Sequence, residues 1–258
     1  YEKYNGMFFR FSQESPLIQA QCAPHAALNW VYSQITAAAI MPLLTDTIRN
    51  SIIGERALIS TLFGDKPLVY ADYTASGRSL TLIEDYIRNQ VMPWYANTHT
   101  ETSFTGAQST ALREQARRQV RSAVNGTDDD KVIFCGSGAT AAIDKLIDVL
   151  NLRLPADVIP EPERPVVFIG PYEHHSNELP WRESIADVVR IPLCRNGQLD
   201  GSALEKALLR YSDRTLKIGS FSAASNVTGI KTHVDAVTRL LHQHGALAFW
   251  DYAAAGPY

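Results

Sequence analysis

Lys131-Val132-Ile133-Phe134-Cys135-Gly136-Ser137-Gly138-Ala139-Thr140, running on into Ala141-Ala142-Ile143-Asp144-Lys145-Leu146-Ile147-Asp148-Val149-Leu150, decides the fold class. The run 131–135 is rich in β-branched and aromatic residues and reads as a strand. Residues 136–138 read as a tight turn. Residues 139–150 then place Ala142, Ile143, Leu146, Ile147 and Leu150 on one face of a helix.

The same alternation continues downstream. Residues 166–170, 187–193, 216–221 and 246–250 read as strands, and 202–211 and 232–244 as helices. A Ser202-x-x-Glu205 capping box opens the first of these helices, and Gly245 closes the second. Strands separated by helices pair in parallel, so the pattern predicts an α/β fold with a mainly parallel sheet and helices on both faces. The proline-rich stretch 154–165 reads as a surface connection.

Upstream, residues 107–124 predict a helix closed by Asn125-Gly126, with Ala111, Leu112, Ala116, Val120 and Val124 inward. Its Arg113, Arg117, Arg118 and Arg121 read as solvated. Residues 94–106 form a polar loop containing His99. A Thr81-x-x-Glu84 capping box precedes an apolar face of Leu82, Ile83, Tyr86 and Ile87 that ends before Pro93. Residues 68–71 read as a short strand, 64–67 as a turn, and 42–63 as a helical segment broken at Gly54. The division falls between a leader over 1–66 and a domain over 67–258.

The 258 residues allow one large α/β domain or two small ones, and 45% hydrophobic with 20% charged residues is ordinary for a soluble globular protein. A formal charge of −3 gives no general affinity for nucleic acid or anionic membranes. Cys22, Cys135 and Cys194 are odd in number, far apart and without metal-ligand spacing, which points to a reduced, cytoplasmic setting. The apolar run 35–44 contains Pro42 and is too short to span a bilayer. The first residue is Tyr1 rather than Met, so the natural N-terminus is expected to lie upstream.

Three segments carry candidate chemistry. Gly136-Ser137-Gly138-Ala139-Thr140 lies at a strand–helix junction, where backbone N–H groups and the helix dipole favour a phosphate and Thr140 adds a hydroxyl. The plain alternative is a tight turn capped by Ser137. Gly136-x-Gly138-x-x-Ala141 also fits a loose dinucleotide fingerprint, but that motif needs an acid closing the next strand. The first acid there is Glu173, beyond the expected spacing. Asp251 ends an apolar strand, where a carboxylate needs a cation or several donors. A protonated pyridine nitrogen would serve; a cap on the loop through Tyr252 and Ala253 is the alternative. In Glu173-His174-His175-Ser176-Asn177 an imidazole can stack on a pyridine ring and exchange protons. Adjacent histidines point different ways and chelate poorly, and His242 and His244 lie on opposite helix faces, so no metal site is expected. Asn226 can donate its amide to a phenolic oxygen or a substrate carboxylate, or serve only as a turn residue.

In order, Tyr70-Ala71-Asp72-Tyr73-Thr74-Ala75-Ser76-Gly77, Gly138-Ala139-Thr140, the 173–177 segment with Pro180-Trp181, Ser225-Asn226-Val227-Thr228-Gly229 and Trp250-Asp251-Tyr252-Ala253 resemble the class V aminotransferase family, and within it the cysteine desulfurases. The resemblance runs from about Leu68 to the end. It implies the large domain of pyridoxal-phosphate-dependent fold type I, incomplete at the C-terminus. It further implies phosphate contacts at Gly138, Ala139 and Thr140, His174 over the ring, Asn226 near the ring oxygen and Asp251 on the ring nitrogen. His174 and Asn226 are the expected catalytic residues, the substrate a small amino acid, and the assembly a homodimer with its site at the subunit boundary.

Two departures shape the expectation. Ala254 stands where the family's desulfurases carry a glutamine three residues after the aspartate, which suggests a divergent branch. The family's cofactor lysine lies about two dozen residues beyond that aspartate, and only seven residues follow Asp251 here. Lys3, Lys66, Lys131, Lys145, Lys206, Lys217 and Lys231 sit in other elements. The expectation is therefore an N-terminal fragment, inactive by itself, whose lysine and sulfur-accepting cysteine lie past Tyr258. Strand 131–135 would then expose an unpaired edge. The alternatives are a non-catalytic module binding pyridoxal phosphate or phosphate, and a nicotinamide-dependent Rossmann enzyme.

Overall fold

The computed structural model describes residues 42–155 and 157–256, which fall into two compact units, 42–125 and 126–256. Cys22 and Lys3 lie outside the described residues, as does most of the apolar run 35–44.

The first unit opens with α1 (Pro42–Ser51). A two-stranded antiparallel hairpin follows, β1 (Leu58–Thr61) and β2 (Gly64–Pro67). Sequence reading places a helix and a turn here. The hairpin escapes it because all eight strand residues are exposed, so no alternation of apolar and polar residues marks either face. Residues 68–71 form no strand; the Leu68 N–H instead donates to Ala57 O at 2.8 Å.

Helix α2 (Thr81–Tyr86) has Leu80 at its N-cap, whose apolar side chain cannot cap, and the Thr81 hydroxyl donates to Ser51 O rather than closing a capping box. The chain stays helical past the expected stop, through a π turn (Ile87–Val91) and a 3-10 turn (Met92–Trp94) that accommodates Pro93. Helix α3 (Phe104–Ala123) is capped by Ser103, whose side chain accepts from Gly106 N–H. Ala111 and Val124 are exposed rather than inward, and the closed positions of α3 are Gly106 and Ser109.

The second unit holds the parallel sheet. Helix α4 (Gly138–Val149) leads, then β3 (Val166–Ile169), α5 (Leu179–Arg182), β4 (Asp187–Arg190), α6 (Gly201–Arg210), β5 (Lys217–Ser222), α7 (Val234–Gln243) and β6 (Leu247–Asp251). The four strands are all parallel, in the order β4-β3-β5-β6. Residues 131–135 are not part of this sheet, contrary to the reading of the sequence. Apolar composition marks a segment as able to pair, but pairing also requires a neighbouring ladder, and Ile133 is exposed.

Alternation along the strands sorts side chains to two faces. Val167 and Ile169 of β3, Ile218 of β5 and Phe249 of β6 pack with α4 (Ala142, Ile143, Leu146, Ile147) and Trp181 of α5. Val166, Phe168, Phe221 and Trp250 pack on the other face with Leu204 and Leu208 of α6 and Val237 and Leu241 of α7. Helices thus cover both faces. The N-cap of α6 is Asp200, whose Oδ1 accepts from Ala203 N–H at 3.0 Å, rather than Ser202. Gly219 lets α7 approach β5 closely, since a Cβ there would lie 2.4 Å from Leu241 Cδ1.

Candidate active site

By the period of two, Ser220, Ser222 and Asp251 face the same side as Ile218 and Phe249, the side covered by α4. The loop bearing His174 follows β3, the turn bearing Asn226 follows β5, and Asp251 ends β6. All three therefore gather at the C-terminal edge of a parallel sheet, where open α/β folds place their ligands.

Helix α4 begins at Gly138, whose φ of +65° lies in the left-handed region. That conformation suits glycine, and nothing lies within 4 Å of where a Cβ would stand. Ser137 is the N-cap by position, yet its side chain makes no capping hydrogen bond to the helix. The first N–H groups of any helix lack intrahelical partners, so the start of α4 offers backbone donors.

Thr140 Oγ1 lies 2.7 Å from Ser176 Oγ, which lies 2.9 Å from His174 Nδ1. The Ser176 N–H also donates to His174 Nδ1 at 3.2 Å, so His174 caps the short 3-10 turn His175–Asn177. These bonds tie the start of α4 to the histidine. His174 itself is exposed, available to a ligand. The His175 ring is tilted 48° to it with centroids 6.1 Å apart, so the two imidazoles diverge.

Asp251 is 4% exposed. Its Oδ1 accepts from Ala253 N–H at 2.8 Å, which is the loop-capping contact anticipated for it. Burial pushes its carboxyl above the usual carboxylate range, opposed by that N–H and by attraction to His174.

Glu173, to which sequence reading gives no role, is held by more donors. Its Oε1 accepts from Gly170 N–H (3.1 Å) and Ser222 N–H (2.9 Å), and its Oε2 from Ser222 Oγ (2.6 Å) and Asn177 Nδ2 (2.7 Å). Burial pushes its carboxyl up; the Ser222 and Asn177 bonds oppose this, and nearby Asp251 adds to it. With four donors its acceptor sites are filled, so it has none left for the ribose hydroxyl a dinucleotide would present. The signal that could have exposed it is an acid three residues past a strand-ending glycine and four before an asparagine.

Asn226 is exposed in the turn after β5. Ser225 organises that turn: its Oγ accepts from the N–H groups of Val227 and Thr228, both at 3.2 Å. The structure thus joins Thr140, Ser176, His174 and Asp251 at one edge and sets Asn226 on the neighbouring loop.

The sequence model of the aminotransferase class-V family matches residues 69–257. The chain belongs to the class-V aminotransferase family. It is 30% identical over 208 residues to a probable cysteine desulfurase of Vibrio cholerae, covering 79% of this chain and 49% of that protein. It is 28% identical over 264 residues to a cysteine desulfurase of Synechococcus elongatus, covering 96% and 40% respectively. Among solved structures, the apo cysteine desulfurase from Thermococcus onnurineus NA1 superposes with a TM-score of 0.61 at 18% identity, over 82% of this chain and 47% of that one. That likeness bears on fold, and the expected fold type I architecture holds. The chain spans about half the length of the curated relatives it matches. Among the described residues, no helix is long and apolar enough to cross a membrane.

Proposed function

We propose that this chain supplies the cofactor cradle of a pyridoxal-5'-phosphate-dependent enzyme of the cysteine desulfurase type, acting on a small amino acid. The observation that carries it is Asp251: a buried carboxyl ending a parallel strand, at the sheet edge where open α/β folds bind ligands and within electrostatic reach of His174. The donor set fits the cofactor. The start of α4, with Gly138, Ala139 and Thr140, offers N–H and hydroxyl donors to a phosphate. His174 offers an exposed imidazole face, Asn226 an amide, and Asp251 a counter-charge for a protonated ring nitrogen.

When bound, pyridoxal phosphate supplies an electron sink for charge developing on the amino acid's α-carbon. The chain's residues do the rest. Asp251 keeps the ring nitrogen protonated, and the α4 start anchors the phosphate. His174, held at Nδ1 by Ser176, presents Nε2 for proton exchange, and Asn226 orients an oxygen of ring or substrate.

The cofactor-binding domain is assigned to residues 67–258, a reading supported by a family match that begins at Val69. A cofactor-attachment lysine, a homodimeric assembly and a cytoplasmic setting complete the proposal. The test is to titrate pyridoxal phosphate into this chain and into one extended to include the lysine. Reversible binding by the first and a lysine-dependent visible absorbance band in the second are expected. Binding of NADH with no response to pyridoxal phosphate would overturn the reading.

A further inference from the structure

The four donors to Glu173 come from three places: Gly170 at the end of β3, Ser222 at the end of β5, and Asn177 in the turn after His174. The fit is steric as well as polar, since a Cβ at Gly170 would stand 2.3 Å from Glu173 Oε1. Behind it, Ser220 Oγ donates to Asn177 Oδ1 at 2.6 Å, and Trp181 Nε1 donates to Ser220 Oγ at 3.0 Å. Residues on both sides of His174 are thus locked into the sheet while His174 projects outward. The β3–β5 register is already fixed by its own ladder, so these bonds are not needed to pair the strands. What they fix is His174 relative to Ser222, the residue paired with Asp251 on β6.

We propose that Glu173 is a positioning residue, whose half-buried carboxyl group staples the turn bearing His174 to the end of β5 beside Asp251. The two groups assigned to the cofactor ring are then held in one frame. The inference rests on the cofactor reading above for the role of His174. Glu173 does not touch the ligand, because its acceptor sites are turned inward and filled.

The experiment titrates pyridoxal phosphate into the native chain, Glu173→Gln, His174→Ala and the double variant, with folding checked by circular dichroism. Ser222→Ala, which removes only the Oγ donor, replaces Glu173→Gln if that variant does not fold. Glu173→Gln should weaken binding about tenfold in the native background but under about twofold beside His174→Ala. With Ser222→Ala the native-background loss should be about threefold, again largely absent beside His174→Ala. Equal losses in both backgrounds, or none in the native one, overturn the proposal, since a merely stabilising group acts whatever residue 174 is.

A second readout needs no cofactor. Nitrogen-15 NMR of the His174 imidazole should show one ordered environment in the ligand-free native chain and an averaged one in the variant. Identical ring signals in both overturn the staple. If the native chain binds no pyridoxal phosphate, the cofactor reading falls, and the ligand-free ring signals then judge Glu173 alone.

Discussion

Ser222 and Asp251 are register partners across β5 and β6, and they face the same side of the sheet. Ser222 spends both its N–H and its hydroxyl on Glu173, at 2.9 and 2.6 Å. Its neighbour Asp251 receives the Ala253 N–H. Two carboxyls at one sheet edge, both pushed up by burial, therefore differ in their partners: Glu173 accepts from Gly170, Ser222 and Asn177, and Asp251 from Ala253 N–H with His174 nearby.

The raised pKa of Asp251 fixes the sign of its effect on stability. The folded state holds this proton more tightly than the unfolded chain, whose aspartates titrate near about 3.9. Stability contributed by the group falls as pH rises from there through the folded pKa, and the penalty is complete above it. Asp251→Asn should raise the ligand-free melting temperature at pH 7, because the amide carries no charge to desolvate. At pH 3 the gain should vanish. Scanning calorimetry at the two pH values checks this.

Gly170→Ala should destabilise the fold by about 1–3 kcal/mol, because the new methyl group and Glu173 Oε1 claim the same space. The effect should shrink when Glu173→Ala is added in the same chain, as coupled neighbours require. Urea denaturation of the two single variants and the double variant measures it.

Trp181 is fully buried, and its Nε1 donates to Ser220 Oγ. Trp181→Phe keeps an aromatic ring but strips that donor and leaves a small void. A loss of about 1–3 kcal/mol is expected in denaturant unfolding followed by circular dichroism.

At Gly138 there is room for a side chain but φ is +65°, so Gly138→Ala should cost about 1 kcal/mol through backbone strain alone. Phosphate affinity should also fall, because a methyl group would then occupy the open space at the α4 start. Isothermal titration with inorganic phosphate, beside a thermal melt, separates the two effects.

What was legible in the sequence follows from burial. β3 and β5 are closed on both faces, so their apolar runs announced strands within a residue or two of the observed ends. β4, at the sheet edge and only partly buried, stops at Arg190, short of the apolar residues that follow. Residues 131–135 show the converse, since the same composition without a neighbouring ladder makes no strand. The hairpin over residues 58–67 was invisible because it buries nothing on either face. Of the site, His174, Thr140 and Asp251 could be named because each follows a recognisable strand or opens a helix. Glu173 was missed, since two of its four donors come from Ser222, which the parallel pairing of β3 with β5 brings beside it.

The central claim is that Asp251 meets a protonated ring nitrogen. Nitrogen-15 NMR of ring-labelled pyridoxal phosphate bound to the native chain and to Asp251→Asn at pH 8 tests it directly. The account predicts a pyridinium-type shift in the native complex and a neutral pyridine-type shift in the variant. The same shift in both would contradict it.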